Sequence, residues 1–217
     1  MVVALVLCVG LTGLSWQTAR HFIAALNGEL IRDVTAERAA NPVPGDAMAR
    51  ALSLAPFSSE YRRRAAMVEM RRMNAAAGLE HIAEALWLRP AWPYDWLILS
   101  HLLAANGIVD ERLTTALSRI QATGAAERSL QFDTAILVLA YWYHMNETQR
   151  REGLPAIEAI LHREREARQL AVYIEKLRRV DLFCRRLVDL VEYGPAWCAT
   201  FEHRAKLRRR EAGKQAR

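Results

Sequence analysis

The stretch Ala51-Leu52-Ser53-Leu54-Ala55-Pro56 returns as Ala85-Leu86-Trp87-Leu88-Arg89-Pro90, with Ala, Leu, Leu and Pro each moved by 34 positions. Such a period constrains the fold more than any composition figure. A unit of that size cannot bury its own apolar face and must stack on a neighbour. The unit reads as two antiparallel helices. Pro90 lacks an N–H and disfavours helical geometry at Arg89, so the chain turns there. Small residues at Ala66, Gly78 and Ala85 let the helices approach closely, while larger apolar side chains fill between them.

The period and the A-L-x-L-x-P ending resemble the tetratricopeptide repeat. After Pro90, residues Trp96, Leu99, Ser100 and Leu103 occupy the Trp, Leu, Gly and Tyr places of that pattern. Before Pro90, Gly78 stands at the small-residue place and Ile82 at the Phe place. The departures are Arg62 at the Trp place and Glu69 at the Tyr place of the earlier copy. Upstream of Ala51 the pattern is degenerate, and after Gly107 Ala116-Leu117 arrives at 31 rather than 34. The expected fold is all-α: a short tetratricopeptide-like α-solenoid of antiparallel helix pairs, with an N-terminal transmembrane helix.

The rest of the chain also reads as helical. Ala125–Met145 is a long apolar-rich helix, and Asn106-Gly107 reads as a C-cap. Gly153 and Pro155 punctuate the chain, with Pro155 in the first turn of a mixed-charge helix running to Val180. Asp181 is the expected cap of Leu182–Tyr193, which ends at Gly194-Pro195. A last helix is expected over Trp197–Arg210. No alternating strand pattern is present.

Met1 to Trp16 carries no charged side chain. Sixteen helical residues span about 24 Å, short of the ~30 Å hydrocarbon core unless the helix continues through Thr18 and Ala19 with Arg20 and His21 snorkelling. A cleaved signal peptide has a basic n-region, and no Lys or Arg precedes residue 20. The run is therefore read as an uncleaved anchor, ahead of a signal peptide or a buried core helix. Residues 1–25 form the anchor and stalk start, 26–45 a connecting helix, 46–195 the helical domain and 196–217 a basic tail. Arg20 and Arg32 favour a cytoplasmic domain by the positive-inside rule, but Glu29, Asp33 and Glu37 interleave, so the side of the membrane stays open.

The formal charge of +6 invites a nucleic-acid reading. Its location argues otherwise. Seven basic residues and one acidic residue lie between Arg204 and Arg217, so the tail carries all of it. Residues 1–203 hold twenty-three basic and twenty-three acidic side chains. The tail is a solvated helix end or a contact for anionic lipid. No aromatic residue interleaves with Arg208, Arg209 and Arg210 to stack on bases, so no nucleic-acid partner is expected.

Catalytic patterns are missing from the sequence: no G-x-x-x-x-G-K-[ST], no G-x-G-x-x-G, no H-E-x-x-H and no G-x-S-x-G. The six histidines are scattered, and the pairs His81/Glu84 and Glu158/His162 read as surface ion pairs. No cofactor, metal or catalytic residue is expected, and the chain does not read as an enzyme. Cys184 and Cys198 bridge only in an oxidising compartment; buried free thiols are the first expectation. Arg62-Arg63-Arg64 with Arg71-Arg72 reads as a solvated positive stripe.

The densest feature is aromatic. Trp87, Arg89, Trp92, Tyr94 and Trp96 crowd ten residues around Pro90 and Pro93. Packing of the inter-repeat turn is the plain reading. Recognition of a protein partner is the functional one, because Trp, Tyr and Arg dominate binding hot spots, and stacking on a glycan is a third. These five are the candidate partner-binding residues.

Three landmarks in order, the A-L-x-L-x-P-x-x-x-E-Y stretch at Ala51–Tyr61, L-R-P-A-W-P-Y-D-W at Leu88–Trp96 and R-R-V-D-L-F-C at Arg178–Cys184, follow the apolar N-terminus. Together they resemble the small VpsP-like proteins of bacterial exopolysaccharide biosynthesis loci, over about residues 50–185. The resemblance implies a non-catalytic accessory of the bacterial inner membrane, single-pass, whose partners are other polysaccharide-assembly proteins. It favours a periplasmic domain. The competing expectations are a general envelope scaffold for secretion or pili, and a nucleic-acid binder acting through the tail.

Overall fold

Local signals start and stop the helices of this chain. The computed structural model describes residues 45–188 and 197–203. Among them every regular element is a helix: α1 (Gly45–Leu54), α2 (Ser59–Arg71), α3 (Ala75–Leu88), α4 (Pro93–Ala105), α5 (Glu111–Gly124), α6 (Arg128–Tyr141), α7 (Glu147–Leu161), α8 (Glu164–Lys176) and the short α9 (Val180–Leu182). A π-helical turn, Phe183–Leu187, continues α9, and residues 197–203 are helical. The closest packing joins chain neighbours, α2 with α3 and α6 with α7, while α5 packs on α7 more than on α6. The chain divides into two compact units between Leu102 and Leu103, inside α4. The apolar run Met1–Trp16, most of the connecting stretch and the tail from Arg204 lie outside the described residues. No described helix is long and apolar enough to cross a membrane.

In the first unit, Ser58 caps α2 by accepting from the Tyr61 N–H. Met48 and Ala51 of α1 meet Ala65 and Val68 of α2 in one cluster. In the second cluster Ala66, Ile82, Ala85 and Leu86 pack with Ile98 and Leu102, and half-buried Trp96 and Leu99 close it. The small residues act as expected. A Cβ on Gly78 would stand 2.9 Å from Leu102 Cδ2 and 3.6 Å from the Ala66 carbonyl oxygen. The two copies also keep equivalent roles, for Ala51 and Ala85 are both fully buried and Pro56 and Pro90 both lie exposed in turns.

The positive stripe on α2 is corrected in part: Arg71 and Arg72 lie exposed as expected, but Arg62, Arg63 and Arg64 are half-buried in ion pairs. Arg62 pairs with Glu84 of α3, Arg63 and Arg64 share Glu60, and Arg72 pairs with Glu69. Arg62 and Glu69, the two departures from the repeat pattern, therefore stand where ion pairs replace an aromatic contact. The His81/Glu84 pair does not form, since Glu84 is held by Arg62, and neither does Glu158/His162, whose histidine is the C-cap of α7.

The second unit departs further from the expected boundaries. Gly107 ends α4 with φ +70 and its N–H on the Ala104 carbonyl, as a C-cap should. Pro155, expected in a first turn, sits inside α7. The helix starts earlier because Asn146 and Gln149 form a complete capping box. The buried Gln149 also donates Nε2 to the Asp110 carbonyl at 3.0 Å, joining the start of α7 to the cap of α5. Gly153 does not break the helix but lets α7 approach α6. The expected helix to Val180 is two helices, because the chain leaves α7 at His162 and begins α8 at Glu164. The expected long helix Ala125–Met145 is trimmed to Arg128–Tyr141. Asp181 lies in the first turn of α9 and is not its cap, a place taken by Arg179.

Cys184 and Cys198 form a disulfide, with Cα atoms 5.7 Å apart, rather than two buried thiols. Aromatic packing brings them together. Phe183, fully buried beside Cys184, stacks on Trp197 at 6.0 Å and meets Phe201 edge-on at 6.2 Å.

Candidate functional site

The five candidate residues fall on the turn between α3 and α4, and the turn is built by its own sequence. Arg89 caps α3 outside the helical region, with φ −148° and ψ 66° and its N–H on the Ala85 carbonyl, because the proline after it disfavours helical geometry there. Pro93 opens α4, where a missing N–H costs nothing. The Trp96 indole Nε1 donates to the Pro90 carbonyl at 2.8 Å, closing the turn.

Beneath this turn lies a charge cluster. Asp95 is fully buried. Its carboxylate accepts from Arg89 Nη2 at 3.1 and 3.3 Å, and Arg63 Nε stands 3.9 Å away. Burial pushes the Asp95 carboxyl above the ordinary range, against the opposing pull of Arg89 and Arg63. Glu60, beside them, goes the other way. Burial would raise it, but hydrogen bonds from Arg63 and Arg64 hold it below the usual range.

The guanidinium of Arg89 is thus fixed on one side by Asp95. On the other it lies over the Trp92 ring, 4.7 Å from its centroid. Tyr94 stands tilted beside Trp92 at 5.8 Å. The structure separates the five residues into two roles. Trp96 and Tyr94 are half-buried, Trp96 packed against the core cluster and Tyr94 beside the Trp92 ring. Trp87 and Trp92 are exposed, at 78% and 41%. Arg89 joins the roles by holding Trp92 in place.

Two residues outside the five belong to this picture. Asp95 is the anchor of Arg89, and an acidic residue in the first turn after Pro93 was its only sequence signal. Phe57, 80% exposed, stands in the preceding turn directly after Pro56, the counterpart of Pro90. Elsewhere, a cavity of about 330 Å3 in the second unit is lined by Val172, Trp197, Phe201 and Arg168. One of about 260 Å3 in the first unit lies over Met48, Leu52 and Val68, with Arg72 and His81 among its lining residues. Among the described residues no three His, Cys, Asp or Glu side chains converge as metal ligands would. No family model matches the chain, and no curated protein does.

Proposed function

We propose that this chain is a membrane-anchored, non-catalytic helical-repeat adaptor of bacterial exopolysaccharide biosynthesis or export. Its described part would be a short tetratricopeptide-like α-solenoid that holds other components of the machinery. The observation that supports this is the equivalence of positions 34 apart: Ala51 with Ala85 in the core, Pro56 with Pro90 in the turns. A stack of helix pairs offers a rigid surface to a partner without chemistry of its own. The uncharged run Met1–Trp16 would supply the anchor.

The Cys184–Cys198 bridge supports the oxidising side of the inner membrane for the helical domain, since cytosolic thiols are kept reduced. That side agrees with the exopolysaccharide resemblance, against the thin excess of Arg20 and Arg32. Affinity capture of the full-length protein from detergent extracts tests the function. Glycosyltransferase, polymerase or exporter subunits in the eluate support it. Pilus or secretion components in their place would move the chain to a general envelope scaffold.

A further inference from the structure

The first unit has two unlike ends. The start of α2 lies beside the end of α3, because Arg62 forms an ion pair with Glu84 at 2.6 Å, and beside the start of α4, because Arg63 reaches Asp95. Phe57, two residues before α2, Trp87 in the last turn of α3 and Trp92 just before α4 therefore share one end. The exposed residues of the two turns there are Pro56 and Phe57 in one, and Pro90, Ala91 and Trp92 in the other. None is charged, and the ionic groups behind them are paired: Arg89 with Asp95, Glu60 with Arg63 and Arg64. At the opposite end α2 finishes at Arg71 and the turn to α3 is Arg72-Met73-Asn74, so the exposed Met73 follows two arginines.

We propose that the aromatic end of the first unit docks in the headgroup region of a phospholipid bilayer, with Phe57, Trp87 and Trp92 as its inserted rings. Indole rings favour that region because they are apolar with one polar N–H. Phe57 and Trp87 stand about four-fifths exposed, Phe57 in the turn before α2 and Trp87 in the last turn of α3, beside two turns whose exposed residues carry no charge. Chain length adds a second argument, which rests on the membrane-anchor reading. Residues 17–44 separate the apolar run from α1 and reach at most about 100 Å when fully extended. The unit is therefore held near the bilayer, where even weak insertion is populated. Docking would fix the orientation of the helix pairs above the membrane.

The test uses the full-length protein in phospholipid vesicles whose acyl chains are brominated near the headgroup end, which quenches nearby indoles. Emission is compared between wild type and the Trp87→Phe, Trp92→Phe and Trp16→Phe variants. Docking predicts that Trp87→Phe and Trp92→Phe each remove part of the lipid-quenched emission. It also predicts that the double variant Phe57→Ser/Trp87→Ser lowers quenching of Trp92 about twofold, the rings acting as joint headgroup anchors. Helix content and melting temperature should stay as in wild type, since both residues are exposed. Lipid quenching confined to Trp16 overturns the docking and leaves the anchor standing. Quenching of Trp87 without Trp16 leaves the docking and removes the anchor; no quenching removes both. Loss of co-purifying protein from the double variant, with Trp87 of the wild type unquenched by lipid, overturns the docking in favour of a protein occupant.

Discussion

Gly153 of α7 lies so close to Val138 of α6 that a Cβ built on it would stand 2.4 Å from Val138 Cγ2 and 3.0 Å from Cγ1. Val138 is fully buried and branched at Cβ, so in a helix any rotamer it retreats into is a disfavoured one. Gly153→Ala should destabilise the protein by about 1–3 kcal/mol through overpacking, despite the better helix propensity of Ala. Val138→Ala in the same chain should recover part of that loss, as read by urea unfolding. Gly78→Ala is the internal contrast. Its added Cβ meets Leu102 Cδ2, the movable end of a longer side chain, so its cost should be clearly smaller.

Removing Arg89 should expose the cost of burying Asp95. Arg89→Ala leaves a fully buried carboxylate with Arg63, 3.9 Å away, as its nearest cation. A loss of about 2–4 kcal/mol is expected, the range for a buried ionic group left without its partner. Trp92 should loosen with it, because the guanidinium over its ring disappears. Chemical denaturation gives the first effect and a red shift of indole emission the second.

The two neighbouring carboxylates should titrate against each other in stability. Glu60 is held below its ordinary range when folded, so its stabilisation is complete above the unfolded pKa of about 4.5 and is lost as pH falls through the folded value. The advantage of wild type over Glu60→Gln should therefore shrink on acidification. Asp95 is raised, so its contribution is complete below about pH 3.8 and is lost as pH rises through the folded value. The difference between wild type and Asp95→Asn should move the opposite way across the same acidic window. Thermal melts at stepped pH would check both signs.

How much of this was legible in the sequence depends on whether a neighbour in the chain or a neighbour in space decides it. The helix pair around Gly78 and Ala85 was readable, because small contact residues and a turn proline recur at a fixed spacing. Pro155 misled because proline often opens a helix, yet Asn146-x-x-Gln149 opens it nine residues earlier, a capping pair that the sequence reading passed over. The pairing of Cys184 with Cys198 depends on Phe183 meeting Trp197 and Phe201, which no local pattern announces. In the aromatic turn, sequence could gather Trp87, Arg89, Trp92, Tyr94 and Trp96 but not divide them. An apolar residue near a helix end reads the same whether it faces the core, as Trp96 does, or water, as Trp87 does.

The disulfide makes the side of the membrane measurable. The chain has three cysteines, and two of them are joined. Denatured under non-reducing conditions, envelope-derived full-length protein should take up one thiol-reactive label, at Cys8, and three after reduction. Three labels without reductant would place the domain in a reducing compartment.

Arg179 should prove as important to α6 as any residue of that helix. It reaches back forty residues, donating Nε to the Leu139 carbonyl at 2.9 Å and Nη2 to the Ala140 carbonyl at 2.7 Å, in the last turn of α6. Its guanidinium also lies over the Tyr143 ring at 4.9 Å. Carbonyls at a helix C-terminus lack intrahelical donors and carry the negative end of the dipole, so a fork of cationic donors satisfies both needs. Arg179→Ala should cost about 2–3 kcal/mol, as for charged hydrogen bonds to partly buried carbonyls. Arg179→Lys should recover less than half, because an ammonium cannot span both oxygens and stack on the ring. Urea unfolding of the three proteins measures the ranking. Hydrogen exchange should show lost protection first at the α6 end, and uniform loss across the unit would count against a capping role.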